Sequence, residues 1–576
     1  MTQQTGELSP VERIKASSDG LRGTLPAEIA DSSTHVSEPG RHLLKFHGAY
    51  EQDDRDARRA RKDAGEEPAY SFMVRAKLPG GVLTGRQYQV FDALAGRYAN
   101  GTLRVTTRQD FQLHGVVKGE LKRTIAAVNS ALVTTLGACG DVVRNVVTCP
   151  APVRDPVRDE VLSLAARLSA HLLPATRAYH EIWLDGERIT DDRADDGADR
   201  LYGTRYLPRK FKIGFGYPDD NCCDVHSNDL GFLTVRDGAS LAGFNVLVGG
   251  GLGATHNKPE TYPRLASPLA FVRREDVCRV SEAVVAVHRD YGDRTNRKHA
   301  RLKYVIDDHG LAWFRERVEE SLGCALEPAR PIEVTGIHDH LGWHDADDGW
   351  WFYGVYVENG RIGDTRDVRL RTALREIVTR VRPEVGIRLT PQQNVLITGV
   401  AERHRALVAR ILADHGVRDP ARVLPVRRWS MACPALPTCG LALAESERAL
   451  PGVLAALEQE LARLGIPDAE LTVRMTGCPN GCARPYTADV AFVGRSADRY
   501  TVYVGGTMLG TRLGVAYADL VPRAELVAVL RPLLERYRCE RLPNERFGDW
   551  VHRVGVEPVR ARARRPADGT AERDVD

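Results

Sequence analysis

The 576-residue sequence has almost no net charge, with 80 Lys and Arg against 77 Asp and Glu. It therefore lacks a global electrostatic footprint for nucleic acid or an acidic membrane surface, and any positive charge it uses must be local. No run of about 18 uninterrupted apolar residues occurs, so there is no membrane span to place. The opening MTQQTGELSPVERIKASS has none of the apolar stretch of a secretory leader. The eleven cysteines are an odd number scattered through a long chain, unlike a secreted disulfide framework. No C-x-x-C is present either, which removes a thioredoxin-like dithiol. What remains is an ordinary globular composition, 43% hydrophobic and 27% charged, long enough for three or four domain-sized units. The expectation is a cytoplasmic protein with reduced thiols.

Residues 1–65 are polar and rich in charge (EQDDRDARRARKDAGEE) and read as a solvated arm or a docking segment; 557–576 read as a mobile tail. Between them, helical spacing marks 119–137, 160–173, 275–292, 402–416 and 523–538. YSFMVRAKL, GTLRVTTRQDFQLHGV, FNVLVGG, WFYGVYVENG and RYTVYVGG read as β-structure. The mixture predicts an α+β fold. Three collinear self-matches say more. LRVTTRQDFQLHGV (103–116) matches IRLTPQQNVLITGV (387–400), and VTCPAP matches MACPALP, both with an offset of 284; FNVLVGGGLG then matches YTVYVGGTMLG. Three blocks in one order predict a duplicated unit with pseudo-twofold related halves and a site between them.

Four of the cysteines have ligand-like spacing: Cys433 and Cys439 in MACPALPTCG, then Cys478 and Cys482 in TGCPNGC. The pattern C-x5-C…C-x3-C fits structural zinc knuckles poorly without excluding zinc. Four thiolates also suit an iron–sulfur cluster, and unrelated core cysteines are the remaining reading. Pro434, Pro437, Gly440, Pro479 and Gly481 break regular structure around them, so that thiolates can converge and backbone N–H groups can turn inward. Cys149 is the repeat mate of Cys433, so the first half reads as a copy without its own cluster.

MACPALPTC with MTGCPNGCARP resembles the signature of the sulfite and nitrite reductases that carry sirohaem coupled to a [4Fe-4S] cluster. The resemblance runs from about residue 8 to 556, through ERIK, LRGTL, FHGAYEQDDRD, RAKLPGGVLT, RQDFQLHG, RAYHEIWLD, YLPRKFK, FNVLVGGGLG and RTNRKHARLKY. It departs at Ala483, where glycine is expected, and at Pro434. The resemblance implies the duplicated sulfite/nitrite reductase fold with cofactors between the halves. It places paired ferredoxin-like repeats at 66–140 and 345–420, a first sirohaem-binding repeat at 141–344, and a second repeat with the cluster at 421–556. It implies that Cys433, Cys439, Cys478 and Cys482 bind the cluster, and that Cys482 also joins it to the sirohaem iron.

Sulfite is a dianion and sirohaem carries many carboxylates, so such a site asks for clustered Arg and Lys. In YLPRKFKIGF, Lys210 and Lys212 are two apart and share a face if the segment is a strand, with Arg209 on the other. By resemblance Lys210 and Lys212 bind substrate and deliver protons, together with Arg75 and Arg144, while Arg209 serves a cofactor carboxylate. In TTRQDFQLHG, alternation predicts Thr106, Arg108, Asp110, Gln112 and His114 on one strand face; the resemblance makes Arg108, Gln112 and His114 sirohaem contacts, and Asn480 a further cofactor residue. GGGLGA (249–254) formally fits a dinucleotide fingerprint, but THNKPETYPR after it has two prolines and no helical period. Its mate VGGTMLGTR points instead to close backbone approach to the macrocycle, with Arg512 nearby. The implied activity is six-electron reduction of sulfite to sulfide, with nitrite reduction to ammonia on the same scaffold as the rival. No flavin or NADPH module is recognisable, so electrons are expected from an NADPH-dependent flavoprotein subunit or a ferredoxin.

Overall fold

The computed structural model describes residues 7–176, 178, 183–184, 187–188, 199–381 and 383–557. Four five-stranded sheets organise the chain, in two matched pairs. One antiparallel sheet has the order Ala49–Asp53, Tyr70–Arg75, Phe111–Val116, Leu103–Val105, Arg361–Ile362. Its mate runs Gly342–Asp347, Trp350–Val355, Val395–Ala401, Gly386–Leu389, Val82–Thr84. Each takes its last strand from the other repeat, so the two halves are interlocked through backbone hydrogen bonds.

The second pair is mixed. Val143–Val147, Phe211–Gly216 and Leu230–Asp237 pair in parallel; Ser240–Val248 and Ser267–Arg273 continue antiparallel. Ser430–Ala432, Val473–Thr476 and Val490–Ser496, followed by Arg499–Val504 and Val515–Pro522, repeat that order and those directions. The predicted duplication is therefore visible strand for strand. The parallel strands are buried along their length, as both-face burial demands. Helices cover them with apolar stripes: Val277–Tyr291 buries Val277, Val280, Val284 and Val287.

Three expectations need correction. Residues 103–116 are not one strand but a hairpin, because Gln109 has a left-handed backbone (φ 57°) and reverses the chain between Val105 and Phe111. Thr106 to Asp110 therefore lie in the turn, and only Gln112 and His114 are on the return strand. Lys210 likewise precedes its strand, which starts at Phe211. Residues 7–65 are not a solvated arm. They form helices at Pro10–Ala16, Leu25–Ala30 and Glu38–Leu44, an edge strand, and a helix at Arg58–Asp63, and bury Leu21, Leu25, Leu43, Leu44 and Phe46. RAYHEIWLD and the tail from 558 on fall largely or wholly outside the described residues. No helix among the described residues is long and apolar enough to cross a membrane.

Candidate active site between the two repeats

The cysteines expected to bind the cluster sit on two loops that leave parallel neighbours, Cys433 and Cys439 after Ser430–Ala432 and Cys478 and Cys482 after Val473–Thr476. The strand pairing brings the loops together. The Gly477 N–H donates to Cys433 Sγ at 3.3 Å and the Asn480 side-chain amide to Cys478 Sγ at 3.3 Å. Backbone N–H groups of Leu441 and Ala442 favour the thiolate of Cys439 in the same way. Arg55 closes the far side: its backbone donates to the Pro437 carbonyl at 3.1 Å and its guanidinium to that of Cys439 at 3.2 Å. The segment read as an arm thus reaches the cysteine loops.

Burial, and then the neighbouring sulfurs, push the Cys433 thiol up and that of Cys478 to about 12. Buried thiols gathered and raised in this way call for cations among them. A single zinc would hold them in a tetrahedron with edges of ~3.8 Å. No three of the four sulfurs lie within 4.8 Å of one another, so the cage is too wide for one ion and suits a multi-iron cluster. Three of the four are buried or half-buried; Cys482 is exposed.

Beside Cys482 is a cleft lined by Arg108, Lys210, Lys212, Arg301, Arg484 and Asn480 among others; its neighbour Gly481 lines it too, as does Thr107, whose hydroxyl donates to the Cys482 carbonyl at 3.0 Å. Five of its lining residues are cations and none is a carboxylate. Cys482 is close enough to act electrostatically on Lys210, Lys212, Arg75 and Arg104, so one sulfur of the set neighbours the cationic cleft. Burial, with Arg301 and Arg108 beside it, lowers Lys212 to about 7; burial, with Arg209 and Lys212, drives Lys210 well below its ordinary value. An anion placed between them reverses that shift, so anion binding and proton uptake are linked.

Arg75, Arg108 and Arg144 converge on Asp110, whose carboxyl burial raises to about 7 against the pull of all three. Arg144 is held by the carbonyls of Gly140 at 2.8 Å and Ala138 at 3.1 Å. Arg108 donates to Asn228 Oδ1 at 2.5 Å and the Ile213 carbonyl at 2.8 Å. With the Gln112 amide turned so that its oxygen faces Arg75, it accepts from Nε at 3.2 Å. His114 is neutral, lowered by burial and by Arg361, Arg104 and Arg75; its Nδ1 meets Gln52 at 3.3 Å.

Two residues serve other partners than expected. Arg209 turns toward Asp141 at 3.9 Å, so a protein carboxylate already faces it. Arg512 spends its donors on the carbonyls of Gly505 at 2.9 Å and Gly506 at 3.2 Å and on Asp549 at 2.6 Å; it shapes the second glycine loop. Arg301, Arg484 and Asp110 were missed, although each lies in a block that carried the resemblance. Arg301 grips Asp229 at 2.8–2.9 Å, and Arg484 reaches the carbonyls of Cys222 at 3.2 Å and Pro391 at 2.9 Å. The glycine loop packs backbone against backbone: Ala254 N–H donates to Pro479 O at 2.9 Å, and a Cβ on Gly253 would meet Asn480 O at 3.1 Å.

Residues 163–326 and 427–568 match the family model described as the nitrite and sulphite reductase 4Fe-4S domain, and 64–131 match the ferredoxin-like half domain of the same enzymes. The chain belongs to the nitrite and sulphite reductase family. It is 47% identical to the sulfite reductase [NADPH] hemoprotein beta-component of Myxococcus xanthus, over 98% of this chain and 100% of that protein. It is also 47% identical to that of Geobacillus kaustophilus, over 96% of each. The Mycobacterium tuberculosis NirA protein has the same fold, with a TM-score of 0.74, 25% identity, and 95% of this chain and 96% of that chain covered.

Both cofactors of this reductase family fit the residues present. The sulfur cage suits the cluster by its width and its N–H···S donors. The cleft suits a polyanionic macrocycle: five lining cations have no lining acid, and buried polar atoms of its lining residues, Arg108 Nε and Arg484 Nε, have no partner within the described residues.

Proposed function

We propose that this chain is the haemoprotein component of a sulfite reductase and carries out the six-electron reduction of sulfite to sulfide. The observation that carries it is the position of Cys482, the exposed member of the cysteine set, next to Gly481 in the wall of a cleft lined by five cations. Cys433, Cys439, Cys478 and Cys482 would hold the [4Fe-4S] cluster, and Cys482, beside the cleft, would be the one that also serves the sirohaem. When bound, the two groups store electrons and supply the metal centre at which sulfite is reduced. Lys210, Lys212, Arg75 and Arg144 hold the oxyanion and offset its charge. Each sulfite oxygen leaves as water and needs protons; Lys212, lowered to about 7, gives and regains one near neutrality. Arg108, Gln112, His114 and Asn480 position the macrocycle and its cluster.

Electrons come from NADPH by way of a flavoprotein partner, a reading supported by the NADPH dependence in the names of the Myxococcus and Geobacillus relatives. Purified protein should show sirohaem absorption bands and oxidise six reducing equivalents per sulfite. Lys210→Ala and Arg144→Ala should each lower sulfite turnover about 100-fold with cofactor content unchanged. Wild-type-like turnover in both would remove them from the site. Faster turnover of nitrite than of sulfite would move the assignment to the nitrite branch.

A further inference from the structure

The first repeat holds a buried cysteine site that the reaction above does not use. Near it the two repeats are in register with an offset of 260. Asp224 and Arg484 both have left-handed backbone (φ 51° and 54°) ahead of the single turns Val225–Ser227 and Pro485–Thr487. Asp229 accepts from the Lys212 N–H at 2.9 Å, as Asp489 does from that of Thr472 at 2.8 Å. In this register Cys222 is the counterpart of Cys482, and Asp220 of Asn480. Cys149 already matches Cys433. Asp155 and Pro218 stand where Cys439 and Cys478 would be. Two of the four cluster ligands are thus kept and two are lost.

The retained pair has acquired new neighbours. Ligand atoms of Cys149, Asp220 and Cys222 all lie within 4.8 Å of one another. His340 lies against two of them, its Nε2 3.2 Å from Cys149 Sγ and 2.9 Å from Asp220 Oδ2, but stands farther than 4.8 Å from Cys222. All four are buried, at 3%, 0%, 0% and 6% exposure for Cys149, Asp220, Cys222 and His340. A zinc tetrahedron of two sulfurs, a nitrogen and an oxygen has edges of ~3.3–3.8 Å. Cys149, Asp220 and Cys222 are already within reach of one ion, and the His340 ring, hydrogen-bonded to two of them, has to swing toward Cys222 to become the fourth ligand. The cage in the second repeat, where no three sulfurs fall within 4.8 Å, is too wide for this.

We propose that Cys149, Cys222, Asp220 and His340 form a single-ion site for a divalent transition metal of zinc-like preference. The mixed sulfur, imidazole and carboxylate set favours zinc over magnesium or calcium. Arg158 supplies the outer contacts, 2.9 Å from Asp220 Oδ2 and 3.4 Å from Cys149 Sγ, with its guanidinium over the Tyr217 ring at 4.4 Å. Two thiolates, one carboxylate and that guanidinium leave two negative charges, which one divalent ion neutralises. The His338 N–H fixes Asp220 through Oδ1 at 3.1 Å and leaves Oδ2 toward the site. The ion would tie His340 to the loop whose next residues, Cys223, Ser227 and Asn228, line the cationic cleft. It is a brace for that loop.

The test uses zinc as probe on the full-length holoenzyme, with metals counted by mass spectrometry and the zinc environment read by X-ray absorption at the zinc edge. One zinc per chain beyond the iron, with two sulfur and two lighter neighbours, is expected. Cys222→Ser should remove one sulfur neighbour or the zinc itself, and Asp220→Asn should weaken zinc retention about 10–100-fold, while iron and sirohaem absorption stay at wild-type levels. Should either variant fail to fold, the wild-type zinc spectrum alone decides. Zinc well below one per chain at saturation, a zinc shell without two sulfurs, or a Cys149–Cys222 disulfide in a non-reducing peptide map of fresh enzyme overturns the proposal.

Discussion

Asn480 shows what one side chain does at the cysteine loops. Its amide donates to Cys478 Sγ at 3.3 Å while the residue also lines the cleft. Hydrogen bonds to cluster sulfurs stabilise the reduced, more negative state. Asn480→Ala should therefore shift the cluster potential to a more negative value, read by redox titration with electron paramagnetic resonance; an unmoved potential would mean that the amide contact is incidental. At this scale the meeting of the two cysteine loops was legible because cysteine spacing and loop residues lie close together in the chain. Arg484 was not: its carbonyl partners at Cys222 and Pro391 come from remote segments. Neither was the pairing of Arg209 with Asp141, since alternation along a strand does not say which carboxylate the fold brings opposite.

At the scale of elements, the glycine loops are the parts of the sequence whose physical reason becomes clear only in the fold. A Cβ on Gly250 would stand 2.2 Å from the His226 carbonyl and 2.4 Å from that of Asn228; on Gly506 it would meet the Ala488 carbonyl at 2.4 Å. Backbone cannot yield there as a flexible side chain can. Gly250→Ala should cost about 1–3 kcal/mol and lower sirohaem content, because the displaced loop carries Leu252 and Gly253 into the cleft wall. Gly119→Ala, with nothing within 4 Å of the added Cβ, is the control. Equal sirohaem-to-chain ratios in both variants would refute the reading. The hairpin at 103–116 was misread as one strand because alternation continues across its turn. The positive φ at Gln109 has no sequence mark as strong as glycine. The repeat of strand order, in contrast, was foreshadowed by three short blocks, since edge and turn residues recur wherever the same backbone path recurs.

At the scale of the whole molecule, the N-terminal segment is held by buried charge that its composition conceals. Lys15, fully buried, donates to the Leu207 carbonyl at 2.7 Å, pairs with Glu12, and lies 3.6 Å from Asp141. Arg297 takes Asp141 in a fork at 2.7 and 2.9 Å. Burial alone would raise the Asp141 carboxyl, but Arg297, Lys15 and Arg209 outweigh it and hold it far below the ordinary carboxylate range. A carboxyl depressed on folding gives stability that is fully present above its unfolded value of about 3.9 and is lost as pH falls through that value toward the folded one. Asp141→Asn leaves Lys15 and Arg297 without their shared anion, at a cost of about 3–5 kcal/mol at neutral pH. The thermal midpoints of wild type and variant should differ most at pH 6–7 and converge as pH drops below about 4. A gap that stays constant over that range would show that Asp141 acts through shape alone and that the segment is pinned by its apolar contacts, Leu21, Leu25, Leu43 and Phe46, rather than by charge.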